Sequence, residues 1–184
     1  MQSLYVQHVT RADRWMRLPL PPGDDGVHQT VGAMSASVQA AAQHPSIRAQ
    51  AAALARGMNP STTFGAVLWT FLRRSMTFRR DPTSGEMLQS PVALLGQIRG
   101  AGMAWGDCDD RAMLGAALLR AWGAHPVLVT CGLRARGRFQ HVYYGELIDP
   151  NGQLDRSNVV PSDPQENVPY GQWTRGERTR IFLV

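Results

Sequence analysis

At 184 residues the chain is long enough for one domain with a substantial core and an accessory layer. Hydrophobic residues make up 43%, an ordinary share for a globular protein, and no apolar run approaches the length of a membrane span. The net charge of +5 is carried by arginine alone, lysine being absent, so the chain offers no lysine amine of its own for an isopeptide bond. The charge admits nucleic acid or an acidic surface as a partner, but most arginines are scattered as a solvated surface would have them.

Met1 to Tyr5 lacks the basic start and apolar run of a signal peptide. This points to synthesis in a reducing cytosol, with retention there or packing into a particle assembled there. Leu4–Thr10 reads as a short strand, and Pro19–Gly26 as a Pro/Gly/Asp loop. Thr30–Gln43 is an Ala-rich helix broken at His44-Pro45. Ser46 then caps a helix over Ile47–Arg56 that stops at Gly57. Phe64, Val67, Leu68, Phe71 and Leu72 form an apolar helical stripe. Ser90-Pro91 is a cap followed by a first turn and predicts a helix to about Arg99. Gly100–Gly106 reads as a flexible approach to Cys108.

Gly106-Asp107-Cys108-Asp109-Asp110-Arg111 runs straight into a helix that Gly123 ends, with Leu114, Ala117, Leu118 and Ala121 on one face. Asp107 is placed to cap it, and Asp110 to reach back. Cys108 takes the first turn, where unpaired N–H groups and the positive end of the dipole favour thiolate, against the opposition of three carboxylates. Arg111 is placed to offset part of that repulsion. Beyond the helix the apolar period shortens. Pro126–Leu133 reads as a buried strand, Phe139–Ile148 as an alternating one, Asp149–Gly152 as a turn returning through Gln153–Asp155, and Arg178–Val184 as a last strand. The fold class is therefore α+β in one domain, 1–184. It divides into an N-terminal strand and arm (1–29), a helical part (30–100), and a core helix with a β-meander (106–184).

A nucleophilic thiol needs a base within reach, and the base needs an orienting acceptor. His141, near the start of a strand, is the best base. His8, His28, His44 and His125 are weaker. Asp149 is excluded as the orienter, since an extended strand sets it about 26 Å from His141. Asp155 lies on the returning strand but needs a bulge to close the gap, and Asp163 is nearer in a naive register. Cys131 reads as a buried structural thiol, and its spacing from Cys108 fits neither a zinc site nor a CxxC pair. Asp107, Asp109 and Asp110 lack a second ligand cluster, and the calcium-loop pattern would need Glu where Leu118 stands. No Walker or Rossmann glycine pattern occurs, so neither a metal nor a cofactor is expected.

These residues resemble a known family. Gly-Asp-Cys-Asp-Asp opening an apolar helix, Phe139-Gln140-His141-Val142-Tyr143 on a strand, and Leu154-Asp155 after a hairpin resemble the transglutaminase-like branch of the papain-fold cysteine enzymes. Asp81-Pro82, Leu88-Gln89-Ser90-Pro91 and Val168-Pro169-Tyr170-Gly171 narrow the likeness to the small members encoded among structural genes of tailed bacteriophages and prophages. The resemblance implies a papain/transglutaminase-like fold, with the thiol helix packed on an antiparallel sheet. It implies Cys108 as nucleophile, His141 as base and Asp155 as orienter, although Arg156 replaces the family's usual proline after that aspartate. It further implies an amide or peptide hydrolase acting on cell-wall peptide or virion protein, in a phage tail or head–tail setting. The competing expectation is a structural virion protein that keeps the fold without turnover. A nucleic-acid binder ranks last, because no aromatics interleave with the arginines.

Overall fold

The computed structural model describes residues 16–18, 24–81, 86–133, 139–176 and 178–184. The strand expected over 4–10 lies outside them, as does His8. Among the described residues, five α-helices and a small antiparallel sheet make a mixed α+β architecture. The helices are α1 (Asp24–Ala42), α2 (Pro45–Arg56), α3 (Phe64–Ser75), α4 (Pro91–Ala101) and α5 (Cys108–Trp122).

Helix α1 begins six residues before the expected Thr30, taking in part of what read as loop, and Asp25 in its first turn suits the positive end of the dipole. Val31, Met34, Val38 and Ala41 give it a buried stripe at three- and four-residue spacing. The cap of α2 is His44 rather than Ser46: the ring Nδ1 accepts the Ser46 backbone N–H at 3.2 Å, and Pro45 fills the first turn. Thr63 and Ser90 cap α3 and α4 through side-chain oxygens that accept from Ala66 and Ala93. Gly102 and Gly123 close α4 and α5 at φ 77° and 99°, the left-handed region where glycine carries no steric penalty.

Two short strand pairs and a four-stranded sheet complete the fold. Strand β1 (Met16–Leu18) pairs antiparallel with β3 (Glu86–Leu88). Strand β2 (Met76–Phe78) pairs parallel with β4 (Ala104–Gly106), so the approach to Cys108 read as flexible ends in a short strand. The four-stranded sheet has the order β7-β6-β5-β8, from β5 (Pro126–Gly132), β6 (His141–Leu147), β7 (Val159–Ser162) and β8 (Arg178–Leu183).

Helix α5 is the centre of the molecule. It touches all four other helices and strands β5 and β6, and every residue from Asp109 to Leu119 is buried. Its burial on all sides follows from helices on one flank and a sheet on the other. Met113, Leu114 and Leu118 are fully covered, each contributing roughly 1.5–3 kcal/mol of transfer free energy. The sheet comes so close that a Cβ on Gly115 would stand 2.3 Å from the Tyr144 ring. Only glycine permits that approach.

Candidate active site

Cys108 is the first residue of α5, partly exposed, where the backbone N–H groups have no helical partner. Asp107 occupies the cap position but makes no side-chain cap bond. Asp110 does not reach back either. It is drawn toward Gln89, which donates its backbone N–H to Oδ1 at 2.7 Å and its Nε2 to Oδ2 at 2.6 Å. Burial pushes the Asp110 carboxyl up to about 8 despite these donors. Asp107, Asp109 and Asp110 bring carboxylate oxygens within 4.8 Å of one another. Hydrogen bonds within the fold use two of the three, since the Asp110 backbone N–H also donates to Asp109 Oδ1 at 2.6 Å, while Asp107 Oδ1 is buried without a hydrogen-bond partner. Arg111 does not face its acidic neighbours. Its buried guanidinium donates to the Met76 carbonyl at 2.8 Å and the Pro164 carbonyl at 3.0 Å.

His141 opens β6 directly opposite Cys131 and is 4% exposed. Its Nε2 lies 2.7 Å from Asp163 Oδ2, which leaves Nδ1 as the ring nitrogen for the Cys108 side chain, close enough to favour the charged ring. Asp163, 1% exposed, is surrounded by donors. Thr174 Oγ1 donates to Oδ2 at 2.5 Å, and the backbone N–H groups of Gln165 and Glu166 donate to Oδ1 at 3.2 Å each. Burial alone would disfavour both charges. The hydrogen bonds and the attraction between the two groups prevail, raising His141 to about 10 and holding Asp163 below the usual carboxylate range. The pair is an imidazolium on a carboxylate, with the thiol on the other side of the ring.

The structure does not bring Asp155 to His141. Asp155 caps a short 3₁₀ turn, Arg156–Asn158, and its Oδ1 accepts from Ser157 N at 2.8 Å and Ser157 Oγ at 2.6 Å. The reason is the connection after β6. Gly152 N–H does close a turn onto the Asp149 carbonyl at 3.1 Å, but the chain does not return as a tight hairpin. The Asn158 side chain holds a wider loop, donating to the carbonyls of Asp149 (2.8 Å) and Gln153 (3.0 Å) and accepting the Asp149 N–H (2.8 Å). Pairing resumes at Leu147↔Val159 and Tyr144↔Ser162. One step further sets Asp163 opposite Tyr143, on the same face as His141 because alternate strand residues share a face. Asp163, the alternative orienter, therefore occupies the position.

The remaining histidines are elsewhere. His28 meets Phe182 edge-on, His44 caps α2, and exposed His125 follows α5. Cys131 is fully buried, and burial pushes its thiol up to about 12.

Sequence reasoning missed the supports. Gln89 is 3% exposed and ties α5 to β4 as well, donating to the Trp105 carbonyl at 2.7 Å. Gln97 Nε2 in turn donates to Gln89 Oε1 at 2.8 Å, and Gln97 Oε1 accepts the Trp105 backbone N–H at 3.4 Å. A buried glutamine directly before a helix cap was the available signal for Gln89. Thr174 carried none. Compared with known protein families, with characterised proteins and with solved structures, the chain matches none of them.

Proposed function

We propose that the protein is a cysteine-dependent acyl-transfer enzyme of papain/transglutaminase-like fold, an amide or peptide hydrolase with Cys108, His141 and Asp163 as its catalytic residues. One observation carries this reading: a buried imidazole hydrogen-bonded to Asp163 through Nε2, with a thiol at a helix N-terminus close enough to favour its charged form. With His141 already carrying the proton as an imidazolium, Cys108 Sγ bonds as thiolate to the carbonyl carbon. The Cys108 backbone N–H supports the oxyanion. The C–N bond then breaks, the amine leaves with the proton from His141, and a thioester remains on Cys108. Water attacks the thioester and gives its proton to His141, and the C–S bond breaks to release the acid and restore the thiolate beside the imidazolium. Asp163 keeps the ring oriented and stabilises its charge throughout.

The setting in a phage or prophage particle, with cell-wall peptide or virion protein as substrate, rests on the resemblance of the sequence. The test is acylation by p-nitrophenyl acetate. The reading expects a nitrophenolate burst and an acetyl group on Cys108 by peptide mass spectrometry, both lost in Cys108→Ala and His141→Ala. Acetylation absent from Cys108, or unchanged in His141→Ala, would leave a structural protein with an enzyme-like fold.

A further inference from the structure

A cavity of about 390 Å³ opens beside the start of α5. It reaches the nucleophile's helix through Gly106 and Asp110, which stand two residues to either side of Cys108, and Trp105 and Gln97 form its wall. Arg79 and Arg80 stand at its edge, both exposed, and the Arg79 backbone N–H donates to the Gly106 carbonyl at 2.9 Å. That bond anchors the arginine pair to the strand leading into Cys108. Among the described residues neither guanidinium has an ion-pair partner.

Among the described residues two acids line the cavity, and both are engaged in the fold. Asp81 accepts the Met87 backbone N–H, and Asp110 accepts twice from Gln89. Burial holds Asp110 largely protonated at neutral pH. Arg79 and Arg80 are the exposed cationic groups among the described lining residues. Their planar forks suit a carboxylate, to which they donate paired hydrogen bonds. Trp105, 45% exposed, adds an apolar surface for the rest of a bound chain.

We infer that this cavity is a substrate subsite in which Arg79 and Arg80 bind a carboxylate of an acidic peptide, presenting a neighbouring amide to Cys108. The inference rests on the acyl-transfer reading of Cys108 and names the substrate class of that site.

The probes that test it are the α-amides of N-iodoacetyl-glutamate and N-iodoacetyl-glutamine, equal in size and in electrophile, of which only the first carries a carboxylate. The rate of Cys108 alkylation by each is read by peptide mass spectrometry in the wild type and in Arg79→Gln/Arg80→Gln. Arg48→Gln, which removes an exposed arginine on α2, controls for net charge. The wild type should react with the glutamate probe about tenfold faster than with its amide twin, the factor one charge-assisted hydrogen bond supplies. The ratio should fall to about one in the double variant, with the amide probe's own rate unchanged, and should persist in Arg48→Gln. Equal rates in the wild type, no reaction with either probe, a preference that survives the double variant, or an equal loss in Arg48→Gln would each overturn the inference. The ratio is taken at a single thiol, so it reads the cavity whatever that thiol's absolute reactivity. The iodoacetamide rate in wild type against His141→Ala reads the Cys108–His141 assignment separately.

Discussion

On the sheet side of Cys108 the polar groups are buried and committed: His141 to Asp163, and Asp163 to Thr174 and two backbone N–H groups. On the helical side, around β4, Arg79, Arg80 and Trp105 face solvent over an open cavity. Both flanks border the same helix terminus. A proton-transfer group must be held in one orientation, and a buried, fully bonded network does that. A surface that receives a variable chain needs exposed groups whose hydrogen bonds are still to be made. In the proposed enzyme these demands fall on different flanks of α5, and the flanks should respond differently to substitution.

The largest effects belong to the buried flank. His141→Ala should slow acylation of Cys108 at neutral pH by about 10²-fold or more, the usual contribution of a positioned base. Asp163→Asn should come close to the same loss by removing the charge that holds the imidazolium, while Thr174→Val, which spares that charge, should cost less. Acetyl-enzyme formation followed by mass spectrometry orders the three.

The next effect concerns what joins the flanks. Arg111 donates to Met76 at the end of the helical side and to Pro164 beside Asp163. Arg111→Met should keep most of the buried stem but strand both carbonyls, lowering unfolding free energy by about 2–4 kcal/mol in urea titrations. A cost near zero would show that the flanks are held together elsewhere.

The pH dependence of stability is subtler. The folded value for His141, about 10, lies above the ordinary 6.5. Its contribution to stability is therefore complete below about 6.5 and is lost as pH climbs through about 10. Asp163 is shifted the other way, so its contribution is present above the ordinary 3.8 and lost as pH falls below it. Urea midpoints of the wild type should fall between neutrality and about pH 10, with a shallower fall in His141→Gln. Parallel slopes would mean that the ion pair does not form.

The smallest effect is the sharpest contrast within the chain. Asp155→Asn removes a carboxylate bound only to its own 3₁₀ turn, and should leave Cys108 acylation unchanged within about twofold. A loss matching that of Asp163→Asn would reverse the assignment of the orienting acid.

The parts governed by local rules were legible in the sequence. Ser90-Pro91 marked the start of α4, Gly123 the end of α5, and the change of period after Pro126 marked the sheet. The thiol at a helix start and a histidine at a strand start are local features too. What escaped depends on side chains meeting across long separations. The choice between Asp155 and Asp163 turned on the β6–β7 register, which Asn158 sets by bonding back to Asp149. The α5 cap looked self-contained, yet Gln89 from a distant segment claims Asp110. The short parallel pair β2–β4 had no periodicity long enough to read, because three residues show no alternation.

The most direct test is the rate of Cys108 alkylation by iodoacetamide, measured from about pH 5 to about pH 10 in wild type, His141→Ala and Asp163→Asn, with buried Cys131 as internal control. The account predicts fast alkylation of Cys108 persisting well below pH 8 in the wild type and lost in both variants, with Cys131 slow throughout. A Cys108 profile that matches an ordinary thiol, or that both substitutions leave unchanged, would contradict a Cys108–His141–Asp163 unit.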